Sequence, residues 1–231
     1  MAGHEMWAVV PVKRLSQAKQ RLRGVLSSEQ RVALARAMLC DVLESLRATC
    51  SLAGIVVVSA DPAVHATARA LGASPIFDAS ESGVNDAVQQ GLDALAPDGH
   101  GALVVPADIP FATADDFESV LALLRHHDVV LSPALSDGGT NALAMRSPDL
   151  LKPHFGEDSF AMHRAIAGQK RLSCGVFRSV RIGRDIDMAE DIRPLDFIPS
   201  SFSNLTSSLL KGFELEDRRA FHGAPAAARI W

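Results

Sequence analysis

The feature that most constrains this chain is an alternation. Short runs that are apolar at successive positions take turns with longer segments of helical period. Residues 6–12, 55–59 and 102–105 hold Trp7-Ala8-Val9-Val10, Ile55-Val56-Val57-Val58 and Ala102-Leu103-Val104-Val105. Strands of that kind must be covered on both faces. Between the first two, Ser27 and Gln30 have capping-box spacing, and Val32, Ala35, Leu39, Val42 and Leu46 recur on one helical face. That pattern predicts a helix of about five turns. Asp61 ahead of Pro62 opens a second helix over 62–71, which Gly72 closes. A third strand over 74–77, helices over 84–95 and 113–125 (the latter capped by Thr113), and a strand over 129–131 continue the rhythm. The expected fold class is α/β in three layers, with a mostly parallel central sheet. Ligands of such sheets bind outside the carboxyl ends of the strands, which is where chemistry is to be sought.

Beyond Pro133 the rhythm changes. Asp137-Gly138-Gly139-Thr140 is a turn, 142–145 a strand, 159–167 a helix and 174–182 extended, together an antiparallel extension expected to close over the site. Residues 1–197 are expected to form one domain. Residues 198–231, rich in Ser and Ala and weakly periodic, are expected to be a C-terminal tail of open role, with the Asn204-Leu205-Thr206 sequon an accident of composition. A net charge of -4 leaves no basic excess to hold a duplex, so nucleic acid is not the expected partner. No apolar run approaches the roughly 20 residues that cross a bilayer. The first residues do not form a basic-then-apolar leader, and Cys40, Cys50 and Cys174 form no paired motif, so a cytoplasmic protein with reduced thiols is expected.

Several loops carry the residue types that chemistry needs. The segment after the first strand holds Lys13, Arg14, Lys19, Arg21 and Arg23 and no acid. A bare charge run reads as a solvated loop, but its position at a strand exit suits a polyphosphate or a phosphorylated acid. It is neither a Walker loop nor a dinucleotide fingerprint. Asp108, between Pro106 and Pro110, suits either an Asx-turn or a Mg²⁺ ligand. Asp185 and Asp187 supply a second acidic site, since i and i+2 of an extended segment share a face. Like charges so close favour a cation between them. Asp137-Gly138-Gly139-Thr140-Asn141 fits a hairpin turn and equally an anion-binding one. Gly156 precedes a helix start, with Ser159 and His163 one turn apart on one face. Anion binding by Gly156 and Ser159 stands there beside simple capping. Glu81 and Asn85 open another helix and fit a base or ribose as well as a cap. No G-x-S-x-G or reactive Cys motif supports a covalent intermediate.

Together, Val10-Pro11-Val12-Lys13, Ala18-Lys19-Gln20-Arg21-Leu22, Pro106-Ala107-Asp108-Ile109-Pro110, Asp137-Gly138-Gly139-Thr140-Asn141-Ala142-Leu143, Phe155-Gly156 with Ser159-Phe160 and His163, and Asp185-Ile186-Asp187 resemble one family. It is the CofC/FbiD family of guanylyltransferases, which act on 2-phospho-L-lactate or phosphoenolpyruvate in coenzyme F-420 biosynthesis. The resemblance spans about residues 6–196. It implies a MobA-like, glycosyltransferase-A-like nucleotidyltransferase fold, GTP as substrate and Mg²⁺ as cofactor. It implies Asp108, Asp185 and Asp187 as metal carboxylates, and Thr140, Gly156 and Ser159 as ligands of the phosphorylated acid. Lys19 is implied as the triphosphate lysine with Lys13 nearby, and Glu81 and Asn85 are carried as nucleotide contacts. The acceptor stays open among 2-phospholactate, phosphoenolpyruvate and 3-phosphoglycerate. A second copy of the chain or the next transferase of the pathway are the protein partners left open. The rival readings are a non-catalytic nucleotide-sensing domain and a nucleotidyltransferase for a sugar phosphate, although those enzymes begin with a Gly-rich signature that the loop over 13–23 lacks.

Overall fold

A computed structural model describes residues 5–192 and 204–216. Its first half follows the alternation read from the sequence: β1 Met6–Pro11, α1 Ser28–Arg47, β2 Leu52–Ser59, α2 Pro62–Ala70, β3 Ser74–Phe77, α3 Val84–Leu95, β4 Gly101–Val104 and α4 Ala114–Leu123. The second half comprises β5 Val129–Pro133, β6 Thr140–Met145, α5 Ser159–Gln169, β7 Cys174–Val176, α6 Val180–Gly183 and α7 Leu205–Glu216. The capping signals form as expected. Ser27 and Gln30 complete a reciprocal box at α1, Thr113 and Asp116 another at α4, and the Asp61 carboxylate accepts from Ala63 N ahead of Pro62.

One seven-stranded sheet runs β3-β2-β1-β4-β6-β5-β7. β1 pairs in parallel with β2 and β4, β2 with β3, and β5 with β7, whereas β6 is antiparallel to both neighbours. The antiparallel piece is therefore not an extension laid over the site. After β5 the chain reverses through 134–139, and β6 inserts between β4 and β5. That insertion sets the site, because the first residue of an antiparallel strand lies at the edge where its parallel neighbours end. Thr140 thus joins Pro11 and Val104 at one rim. The expected extended run over 174–182 also stops early. Ser179 Oγ accepts from Arg181 N and Ile182 N and turns the chain into α6.

Alternate strand residues feed the two faces. Ala8, Val10, Leu103 and Val130 pack with α1, α2 and α4, while Val9, Val104, Val129 and Leu131 pack with α3 and α5. α3 lies so close to the sheet that a Cβ at Gly91 would sit 2.4 Å from Val9 Cγ1 and 3.2 Å from Val58 Cγ2. Glycine is required there by contact, and its helix start is thereby held at the rim.

Part of the expected tail is structured. Asn204 Oδ1 accepts from Ser207 N at 2.8 Å and caps α7, while its Nδ2 donates to the carbonyl of Pro110 at 2.7 Å. The sequon asparagine is thus a helix cap. Asp41 of α1, 4% exposed, accepts from Leu205 N at 2.9 Å and Thr206 N at 2.8 Å, meeting the free N–H groups of the helix start with a negative charge. Leu210 is buried in the same core as α1. Residues 198–203 and 217–231 of that expected tail lie outside the described residues. Among the described residues no helix is long and apolar enough to cross a membrane.

Candidate active site

The rim of the sheet surrounds a cavity of about 740 Å³. Lys13, Lys19, Glu81, Asp108, Thr140, Gly156, Ser159, Asp185 and Asp187 all line it, whereas Arg23, Asn85, Gly138 and His163, also singled out from the sequence, do not. The Asn85 amide is committed elsewhere: it donates to the Phe155 carbonyl at 3.1 Å and accepts from Phe155 N at 2.6 Å. Both ends of the side chain are engaged by the Phe155 backbone. It ties the start of α3 to the segment carrying Gly156.

On one side of the cavity lies a charged cluster. The basic loop folds as two 3-10 turns, Leu15–Gln17 and Gln20–Leu22, joined at Lys19 in the left-handed region at φ 53°. That conformation costs a non-glycine residue energy, and here it aims the side chain between two acids. Lys19 Nζ, with a side chain 8% exposed, reaches Asp108 Oδ2 at 2.8 Å and Asp187 Oδ1 at 2.6 Å. Burial works to lower its pKa, but the two carboxylate charges outweigh it and hold the ammonium above its ordinary range. Arg21 reaches the other oxygen of Asp187 at 3.6 Å. Ile186 is fully buried and donates its N–H to the Asp108 carbonyl at 3.0 Å, clamping the two acidic segments together. Asp185 accepts from the Asn141 amide at 3.4 Å and from backbone N–H. Burial, and then the charges of Asp108 and Asp187, push its carboxyl up to about 6.

Those like-charge effects require the three carboxylates to be mutual neighbours. Hard oxygen donors carrying excess negative charge fit a hard divalent cation. As they stand, Asp108 and Asp187 share Lys19 while Asp185 meets Asn141, and among the described residues no three acidic, His or Cys groups already form a metal-holding cluster.

A second, polar part of the lining comes from 137–141 and 155–159. Asp158 N donates to the Asp137 carbonyl and Phe160 N to that of Gly138, at 3.3 and 3.1 Å, so two motifs far apart in sequence zip together. Gly156, at φ 133°, adopts backbone that only glycine enters freely. Ser159 does not cap α5. Its hydroxyl donates sideways to Thr140 Oγ1 at 3.3 Å, both residues being buried. At the mouth, Arg14 and Glu81 form a two-pronged ion pair with both bonds 2.7 Å long. Glu81 is thus engaged by the basic loop itself.

The sequence did not expose the brace behind the acids. Asp116, 3% exposed, accepts from Thr113 N and Oγ1, Ser179 Oγ and both Arg181 Nε and Nη2, pinning α6 to α4. Burial would raise its pKa, but these bonds, led by Arg181, hold it below the usual range. Because α6 leads directly into Asp185, the brace orients the acidic segment. Asp116→Ala is expected to cost about 2–3 kcal/mol, the sum of a lost cap and charge-assisted bonds to a half-exposed Arg181. Denaturant titration checks it, and an unchanged midpoint would remove the brace from the account.

A doubly covered sheet of this order, with acids and a lysine at the strand exits, is an α/β fold that solved nucleotidyltransferase structures share. Solved structures agree on the fold. A nucleotide-diphospho-sugar transferase from Desulfovibrio desulfuricans superposes with TM-score 0.76 at 19% identity, over 94% of this chain and 98% of that one. A nucleotidyl transferase from a Methanothermobacter gives 0.58 at 14%, over 82% and 94%. The chain belongs to the "Guanylyl transferase CofC like" family, whose model matches residues 6–202. Its relatives include the phosphoenolpyruvate guanylyltransferase of Sphaerobacter thermophilus, 38% identical over 81% of this chain and 91% of that one. The 3-phospho-D-glycerate guanylyltransferase of Phenylobacterium zucineum is also 38% identical, over 80% and 86%. The 2-phospho-L-lactate guanylyltransferase of Methanothermobacter thermautotrophicus is 35% identical, over 80% and 81%.

Proposed function

We propose that the protein transfers GMP from GTP to a phosphorylated three-carbon acid, releasing pyrophosphate, as a step of coenzyme F-420 biosynthesis. The observation that carries this reading is one cavity with two unlike parts: Lys19 held by Asp108 and Asp187 with Asp185 beside them, and Thr140, Ser159 and the Gly156 backbone. The acceptor is a phosphomonoester with a second pKa of about 6, already mostly dianionic at neutral pH. Its oxygen needs no general base to attack the α-phosphorus. The new P–O bond forms as the α–β bridging bond breaks, and pyrophosphate leaves with that electron pair. What the chain must do is hold two polyanions together. Lys19 and Lys13 meet the triphosphate, while Thr140, Ser159 and Gly156 hold the acid. Asp108, Asp185 and Asp187 would hold Mg²⁺, which supplies neutralisation of phosphate charge.

Incubation with GTP, Mg²⁺ and each of 2-phospholactate, phosphoenolpyruvate and 3-phosphoglycerate, followed by mass spectrometry and a pyrophosphate assay, tests the reading. A nucleotide sensor would bind GTP and release nothing. A sugar-phosphate enzyme would leave all three acids untouched. For the acid wall, Ser159→Ala removes a donor to a charged group, and kcat/KM for the acid is expected to fall roughly 10- to 150-fold. Stability should drop only by about 1 kcal/mol, since the hydroxyl makes no cap. Retained kcat/KM for every acid would take Ser159 out of the subsite.

A further inference from the structure

His163 lies behind the acid wall, outside the cavity lining, and meets that lining at Thr140 and Phe155. It is fully buried, with its ring edge against Phe155 at 5.2 Å between centroids. Its Nε2 is 3.1 Å from the backbone nitrogen of His154, and its Nδ1 is 3.0 Å from Thr140 Oγ1. A backbone N–H can only donate, so Nε2 must carry the lone pair. Burial, and then the charge of His154, push the pKa down to about 4, so the ring is neutral near pH 7 and carries one proton. That proton is on Nδ1, and Nδ1–H donates to Thr140.

The direction of that bond decides what the wall can offer. Thr140 and Ser159 own two hydroxyl protons, and their mutual bond uses one. If Thr140 had to donate to His163, the second would be spent on the ring. Because the ring donates instead, the second proton remains available to a ligand, and breaking the long Ser159–Thr140 bond would release the other.

We propose that His163 is a positioning residue that fixes the polarity of the Thr140–Ser159 pair, so that this wall presents hydroxyl protons to an anionic oxygen of the acceptor. The proposal rests on the acid-subsite reading above and deepens it. The wall is built for a phosphate or carboxylate acceptor and against a group that must itself donate there.

A set of variants separates polarity from packing. An asparagine amide can donate from the place of Nδ1, whereas a glutamine can replace Nε2 as the partner of His154 and leaves Thr140 without a donor. With GTP saturating, His163→Gln and His163→Phe are expected to raise KM for the acid about tenfold with KM for GTP unchanged, and His163→Asn to restore it to within about threefold. In a Thr140→Val background, His163→Phe is expected to have no further effect on KM for the acid. Equal KM changes in all three variants, or full additivity with Thr140→Val, would overturn the proposal. A nitrogen-15 spectrum of the unmodified protein is expected to show a protonated Nδ1 and a bare Nε2, and the reverse tautomer overturns the proposal independently of any variant's folding. This spectrum also separates the two readings. Wild-type protein that turns over no acid fails the functional reading, while the tautomer still decides the polarity.

Discussion

Asp108→Asn is expected to lower guanylyl transfer by on the order of 10²–10³-fold while the protein stays folded, with Asp187→Asn behaving alike. Asparagine keeps the shape of the side chain and removes its charge. The backbone clamp survives, because Ile186 N bonds the carbonyl of residue 108 and not its side chain. Lys19 keeps one carboxylate in either variant, Asp187 at 2.6 Å or Asp108 at 2.8 Å, so no buried ammonium is left unpaired. What disappears is negative charge where a divalent cation and two polyanions are expected to meet. Pyrophosphate release at saturating GTP and acid, with Mg²⁺ titrated, measures the effect, and circular dichroism reports the fold. A variant within tenfold of wild type at ordinary Mg²⁺ would separate that carboxylate from turnover. A variant that loses activity together with its fold would show the cluster to be structural.

The legible parts of this molecule are the local ones. Ser27 with Gln30, Asp61 with Pro62, and Thr113 three residues before Asp116 announce helix starts because their partners are within one turn. Val56 and Val104 announce buried strands by lacking an exposed neighbour. Asp108 is legible as an acid at a strand exit, where α/β sheets place their chemistry, and Asp187 by its i, i+2 spacing with Asp185. Features created by pairing across the chain were hidden. Nothing near 140 says that β6 will insert between β4 and β5, and that insertion delivers Thr140 to the rim. Asn85 looked like a ligand residue because polar groups at a helix start are what both a cap and a binding loop contain. Its partner, the backbone of Phe155, is 70 residues away. Lys19 lies between Asp108 and Asp187, a contact that no spacing in the sequence relates. The weakly periodic 198–231 gave no sign that Asp41 would cap a helix beginning at Leu205.

The two walls of the cavity are also expected to respond oppositely to acid. His163 is held neutral down to about 4 by burial and then by His154, whereas an unfolded histidine takes its proton near 6.5. Between those values the unfolded chain binds the extra proton, so acidification from pH 6.5 to 4 removes up to about 3 kcal/mol of stability through this group. Asp185 runs the other way. Its carboxyl is raised to about 6 by burial and then by Asp108 and Asp187, whereas an unfolded aspartate titrates near 3.9. Here the folded chain binds the extra proton, and the same acidification returns up to about 3 kcal/mol. In the metal-free protein the two contributions nearly cancel between pH 6 and 4. Removing either exposes the other. His163→Gln is expected to grow more stable relative to wild type as pH falls through this window, and Asp185→Asn less stable, each by about 1.4 kcal/mol per pH unit at most. Guanidinium midpoints measured in the presence of a chelator at pH 6 and pH 4 read both slopes. Parallel pH profiles for wild type and the two variants would mean that neither wall carries the proton imbalance. A change confined to Asp185→Asn would leave the acidic cluster intact and return His163 to an ordinary histidine.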